Sequence, residues 1–157
     1  MNKSVYIETS IVSYLTARPS RDLIQAARQQ ITNAWWEERR SEFDLFVSQY
    51  VIDEAGDGDI IAARRRLELL DGLPLLETTE EAMELGDALI RKGAIPQKAV
   101  TDALHIAIAT IHEINILLTW NCTHLANAEI LGEVARIVRS EGYEPPVICT
   151  PDELMGK

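Results

Sequence analysis

The sequence lacks the features that would staple or anchor a chain. Only two of its 157 residues are cysteine, Cys122 and Cys149, too few for a disulfide framework and without metal-ligand spacing. They read as core or near-core thiols of a reduced, cytoplasmic protein. No apolar run approaches the roughly 18 residues that cross a bilayer, which excludes a transmembrane helix. The apolar stretch at Val5-Tyr6-Ile7 is far too short for a signal peptide. Phosphate-cradling glycine motifs are missing: there is no GxxxxGK[ST], and Gly56-Asp57-Gly58-Asp59 is not GxGxxG. ATPases and dinucleotide enzymes therefore have no support. No HExxH metal motif and no GxSxG elbow occur. No long-period repeat, low-complexity tract or linker divides the chain, so it reads as a single domain over 1–157.

Positive charge is scarce as well. There are 15 basic and 25 acidic residues, for a net charge of −10. The imbalance lies in the second part: residues 1–66 hold 9 basic and 10 acidic residues, and residues 67–157 hold 6 and 15. Broad non-specific binding of nucleic acid needs a positive surface, so this balance argues against it. A nucleic-acid enzyme stays open. Carboxylates that bind a divalent cation count as negative in a sequence but not in a loaded site.

What is present suits a folded soluble domain: 46% of residues are apolar and 25% charged. A chain of this length buries roughly 70% of its unfolded surface and needs no staple. Ser4–Glu8, Phe43–Val47, Leu73–Leu76, Ile116–Thr119 and Val147–Thr150 read as short strands. Arg21–Arg40 reads as a long helix, with Ile24, Ala27, Ile31, Ala34 and Trp35 close to a helical period and Ser20 as its cap. Further helices are expected at Gln49–Ala55, Asp59–Leu70, Thr79–Lys92, Pro96–Glu113 and Asn127–Glu141, with Gly93 and Gly142 as terminators. This alternation predicts an α/β fold with a parallel sheet. Ligands of such sheets bind beyond the carboxyl ends of the strands, at a switch point in strand order. Glu8–Ser10 and Thr119–His124 are the places to look.

The helix opened by Pro96 is apolar nearly all round, so it should be buried. Its polar residues Asp102, His105 and His112 fall on one stripe at about 100° per residue. An unpaired buried carboxylate costs several kcal/mol, so Asp102 needs a partner: Lys98 one turn earlier, or a metal or catalytic site. Glu8 reads either as a site carboxylate or as a solvated strand end with a helix cap. Asp53 and Glu54 are equivalent by composition. Asn121 reads as a turn residue or a site residue. His105 and His124 read as ligands or, as lone histidines more often are, hydrogen-bonded structural residues. The adjacent Trp35 and Trp36 cannot both face one core, which leaves one for a protein contact or for packing under a loop.

Four segments in this order resemble one family: Tyr6-Ile7-Glu8-Thr9-Ser10, Ser48-Gln49-Tyr50-Val51-Ile52-Asp53-Glu54, Asp102-Ala103-Leu104-His105-Ile106-Ala107 and Leu118-Thr119-Trp120-Asn121. Together they span essentially the whole chain, which resembles the PIN-domain ribonucleases. It is most similar to bacterial stand-alone PIN proteins, many of them toxins of VapBC-type toxin–antitoxin pairs. The resemblance implies a three-layer fold with about four or five short parallel strands flanked by helices. It implies an acidic set of Glu8, Glu54 and Asp102, with Asn121 in place of a variable fourth acid. Thr9, Ser10 and Thr119 match supporting hydroxyl positions. It further implies Mg²⁺ or Mn²⁺ as cofactor, RNA as substrate, an antitoxin partner and a homodimer. Two positions depart from the pattern: the usual first acid is Asp rather than Glu, and Asn121 lacks a charge. Arg18 and Arg21, close after the first strand, are candidates for RNA phosphates, whereas Arg64-Arg65-Arg66 spans too wide an arc of helix to face one strand. Two rival readings stand beside the nuclease: a PIN fold with an impaired site that only binds RNA or protein, and a nucleotide hydrolase using the same acids.

Overall fold

The computed structural model describes residues 1–156. Five strands form one sheet: β1 (Lys3–Ile7), β2 (Phe43–Ser48), β3 (Leu75–Leu76), β4 (Ile116–Leu118) and β5 (Val147–Cys149). All pairings are parallel, and the strand order is β3-β2-β1-β4-β5. Seven α-helices connect them: α1 (Thr9–Thr16), α2 (Leu23–Glu38), α3 (Gln49–Ala55), α4 (Ile60–Leu70), α5 (Glu80–Arg91), α6 (Val100–Ile111) and α7 (Ala128–Ser140). Helix α1 packs on α2, α3 and α4, while α5 packs on α6 and α7. The right-handed rule for parallel crossovers puts these two groups on opposite faces of the sheet. The result is the three-layer α/β arrangement that the alternation of elements predicts.

Strand composition follows from that layering. A sheet covered on both faces needs apolar side chains on both, not alternation. Val5, Tyr6 and Ile7 are all fully buried, as are Leu117 and Leu118. Helix α6 is buried along Ala103–Thr110, as expected for a helix apolar nearly all round. Helices α5 and α7 stop at Gly93 and Gly142, whose φ values of 88° and 92° lie in the left-handed region that favours glycine.

One helix is additional to those expected, and two expectations about the long helix need correction. The segment Thr9–Thr16 is a helix. Its β-branched residues disguise it, and its cap is a glutamate: the Glu8 side chain accepts the Ser10 N–H. Helix α2 is capped by Asp22 rather than Ser20; the Asp22 carboxylate accepts the Gln25 N–H at 2.9 Å, whereas the Ser20 hydroxyl accepts the N–H of Asp22. Only the C-terminal half of α2 enters the core, through Thr32 and Trp35, and Ile24 stays exposed. Of the two adjacent tryptophans, Trp35 is fully buried and stacks on Phe43. Trp36 is half-buried beneath the Arg40 guanidinium, 4.5 Å from its ring centre.

Candidate functional site

In the strand order β3-β2-β1-β4-β5 the chain runs outward from β1 to β3 and then returns to β4 on the other side of β1. The switch point is therefore the β1/β4 pair, and a ligand crevice is expected beyond their carboxyl ends. Glu8 directly follows β1, and its N–H binds the Leu118 carbonyl at the end of β4 at 3.1 Å. Thr119 directly follows β4. Glu8 and Thr119 thus sit at the crevice that the topology predicts.

Glu8 is 5% exposed. Its Oε1 accepts three hydrogen bonds: from the Ser10 hydroxyl, from Ser10 N at 3.1 Å and from the Thr119 hydroxyl at 2.6 Å. The same two hydroxyls tie down the loop after β4. The Ser10 Oγ accepts the Trp120 N–H at 2.7 Å, and the Thr119 Oγ1 accepts the Asn121 N–H at 2.9 Å. A carboxylate with three donors on one oxygen is held in a single orientation.

Glu54 lies in the last turn of α3. Its Oε1 accepts from the Thr9 hydroxyl at 2.7 Å and from His105 Nε2 at 2.8 Å. Partial burial pushes the Glu54 carboxyl up, but the bonds from His105 and Thr9 and the charge of the His105 ring outweigh that. Its pKa is held below the ordinary carboxylate value. The choice between Asp53 and Glu54 is settled in space. Asp53 is exposed and accepts from Gln49 one turn back, while Glu54 joins Thr9 and His105.

Ligand atoms of Glu8, Glu54 and His105 lie within 4.8 Å of one another, close enough for one metal ion. Asp102 lies outside that group, with its carboxylate turned to His124 Nδ1 at 3.2 Å. Lys98 makes no ion pair with it among the described residues. Asn121 Oδ1 accepts the N–H groups of Thr123 and His124 at 3.1 and 3.0 Å, the turn-forming geometry of an asparagine. His112 is apart from the site, on the carbonyl of Glu77. The predicted stripe on α6 thus splits, with Asp102 and His105 on site partners and His112 elsewhere.

Arg18 and Arg21 are exposed. Within the run Arg64-Arg65-Arg66, Arg66 is structural, donating to the carbonyls of Ala55 and Asp57 at 2.8 and 2.6 Å. A cation that the sequence did not single out, Arg28, lies over the Trp120 ring at 5.0 Å. Tyr6 and Ser48 were not singled out either, since in sequence they are ordinary strand residues. Cys149 is buried and its thiol is pushed up to about 12 by burial, whereas Cys122 is exposed.

Carboxylates collected at a strand switch point without a lysine or arginine partner suit a divalent cation. Glu8 Oε2 and Glu54 Oε2 accept no hydrogen bond among the described residues, and oxygen ligands are what Mg²⁺ and Mn²⁺ prefer. The donor set therefore fits such an ion.

Comparison with known proteins bears on the fold and the family. Among solved structures, the chain is similar to the crystal structure of VapBC2 from Rickettsia felis bound to a DNA fragment from their promoter. The identity is 15%, over 94% of this chain and 98% of that one, with a TM-score of 0.58; at that identity the likeness speaks for the fold. No curated protein matches. A family model described as PIN domain matches residues 5–121, from β1 through Glu8, Glu54 and Asp102 to Asn121. The chain belongs to the PIN-domain family.

Proposed function

We propose that the protein is a metal-dependent endoribonuclease, the toxin of a toxin–antitoxin pair, acting in the cytoplasm. The observation that carries this reading is the approach of Glu8 and Glu54 at the β1/β4 switch point with no lysine or arginine between them. Two carboxylates so close repel, and a divalent cation between them relieves that repulsion. Glu8, Glu54 and Asp102 would hold Mg²⁺ or Mn²⁺, with Asn121 at the edge of the set. A bound ion of this kind lowers the pKa of a water and screens phosphate charge. The chain's own residues do the positioning. Thr9, Ser10 and Thr119 donate to the carboxylates and orient them. Arg18 and Arg21, exposed beyond α1, supply charge for RNA phosphates. Hydrolysis breaks the P–O3′ bond and leaves a 5′-phosphate on one product.

A protein partner is supported by apolar side chains that face solvent. Leu23 and Ile24 open α2, Ile60 and Ile61 open α4, and all four are at least 64% exposed. Exposed apolar surface of this kind marks association, here with an antitoxin or a second copy of the chain. No helix among the described residues is long and apolar enough to cross a membrane.

A second reading, a PIN fold that binds without cutting, is favoured by one observation: Asn121 Oδ1 is already spent on two backbone N–H groups. Cleavage of a mixed RNA panel in Mn²⁺, in Mg²⁺ and in EDTA separates the two, with Asp102→Asn protein alongside. Ion-dependent cutting that disappears in the variant supports the nuclease. Equal cutting by the variant removes Asp102 from the site. Binding of RNA without cutting by either protein supports the second reading.

A further inference from the structure

By distance alone, Glu8, Glu54 and His105 form a three-ligand metal group. The hydrogen bonds around His105 assign it another part. Both its ring nitrogens are engaged: Nε2 lies 2.8 Å from Glu54 Oε1, and Nδ1 lies 2.6 Å from the Tyr6 hydroxyl. An ionised carboxylate only accepts, so Nε2 carries a proton in either charge state of the ring. A nitrogen that donates has no lone pair to give a metal.

The direction of the rest of the chain follows. In the neutral ring Nδ1 is then the acceptor, and the Tyr6 hydroxyl gives it its single proton. Tyr6 in turn receives the proton of Ser48 Oγ, 2.6 Å away. The chain runs Ser48 to Tyr6 to His105 to Glu54, and Thr9 is the second donor on the same Glu54 oxygen. Ser48, Tyr6 and His105 are all fully buried. Each of their side-chain polar atoms has a partner in this chain, so nothing in it is left to bind elsewhere without loss. The Tyr6 ring also meets the imidazole edge-on, with centroids 5.5 Å apart, which further limits rotation of the ring.

We infer that His105 is a positioning residue and not a metal ligand: held by Tyr6 with its Nε2–H toward Glu54, it ties down one oxygen of Glu54 and leaves the other for the cation. The inference rests on the metal-dependent reading above. It has the form of a histidine that orients a metal-binding carboxylate, and loss of such outer partners typically costs about 10–100-fold in metal affinity.

The test uses full-length protein with His105→Gln, His105→Leu and Tyr6→Phe. Free Mn²⁺ is followed by electron paramagnetic resonance. The His105 ring nitrogens are followed by ¹⁵N NMR with and without Mg²⁺. The expected signature is a proton on Nε2 that stays when Mg²⁺ saturates the protein. The Gln side chain can still donate to Glu54, so His105→Gln should keep Mn²⁺ affinity within about 3-fold. The Leu variant should lose roughly 10–100-fold. Tyr6→Phe preserves volume and guards against misfolding of the Leu variant. It should weaken Mn²⁺ binding by about 3- to 10-fold, the scale of one neutral hydrogen bond.

Loss of the Nε2 proton on adding Mg²⁺, or an equal loss in Gln and Leu, overturns the positioning role while leaving the metal reading intact. An unchanged affinity in Tyr6→Phe overturns the part given to Tyr6. Absence of Mn²⁺ binding by the unaltered protein overturns both readings.

Discussion

The two sides of the site are held in different ways. On the side of β1 and α3, Glu8 and Glu54 each have one oxygen taken by more than one donor: the buried Thr119 hydroxyl and the half-buried Ser10 on Glu8, and the half-buried Thr9 hydroxyl and the buried His105 imidazole on Glu54. On the side of α6 and the loop after β4, Asp102 has one hydrogen bond of 3.2 Å to a partly exposed histidine. Asn121 spends its oxygen on its own turn. The first side is preorganised before any ion arrives. The second can adjust to what binds. Glu8, one methylene longer than the Asp usual at that position, has three donors on a single oxygen. Ser10 and Thr119 join the sides, since each donates to Glu8 and accepts a backbone N–H from the loop.

The largest expected effect breaks or confirms the pairing of the two sides. Glu8→Gln and Asp102→Asn should each lower RNA cleavage in Mn²⁺ by more than the roughly 10–100-fold typical of a supporting residue. The double variant should be little worse than either single one, because groups that act as a unit are not additive. A mild Asp102→Asn beside a dead Glu8→Gln would mean that the adaptable side is outside the site.

Next comes the joint. Thr119→Val keeps the shape but removes the hydroxyl that donates to Glu8 and accepts from Asn121. The Asn121 N–H and the buried Glu8 oxygen each lose a partner. Stability should fall by about 1–3 kcal/mol, read from urea unfolding in EDTA, and Mn²⁺ affinity should fall about 10-fold. Normal affinity in a destabilised protein would show that the loop and Glu8 are tied for folding only.

How much of this was visible in the sequence follows from the range of the interactions. Strand and helix positions depend on local periodicity and caps, and β2, α3 and α5 lie where those signals put them. The α1 helix was hidden because Thr, Ile and Val residues weaken helix signals and because its cap is Glu8, itself a site residue. The acids were legible only as an ordered set, since each alone has an ordinary surface explanation. The part of His105 was out of reach. Its partners Tyr6 and Glu54 lie 99 and 51 positions away, and no local pattern encodes such a contact. Asn121 went the other way: the local turn reading describes its observed bonds.

Asn121 offers a smaller and sharper test. Asp accepts backbone N–H groups in the same turn, so Asn121→Asp should keep stability and change Mn²⁺ affinity by less than about 3-fold. Asn121→Ala leaves the Thr123 and His124 N–H groups without their acceptor and should cost about 1 kcal/mol in urea unfolding. A large gain in Mn²⁺ affinity for the Asp variant would move Asn121 into the ion's own ligand set and narrow the contrast between the sides.

The smallest effect is in the acid limb of stability. Glu54's carboxyl is held below its ordinary value near 4.5: partial burial raises it, and the His105 and Thr9 hydrogen bonds, with the His105 charge, more than offset that. A depressed folded-state pKa means that the unfolded chain binds the proton more readily. The stabilisation is therefore complete above the unfolded value and is lost as pH falls through the folded one. Glu54 is 38% exposed, so solvent screening keeps the effect small. In EDTA, the stability difference between unaltered protein and Glu54→Gln should shrink steadily as pH is lowered from 6 to 3. A constant difference over that range would mean that His105 and Thr9 hold the glutamine amide as firmly as the carboxylate, so that the rigid side of the site is fixed by shape and hydrogen-bond direction rather than by charge.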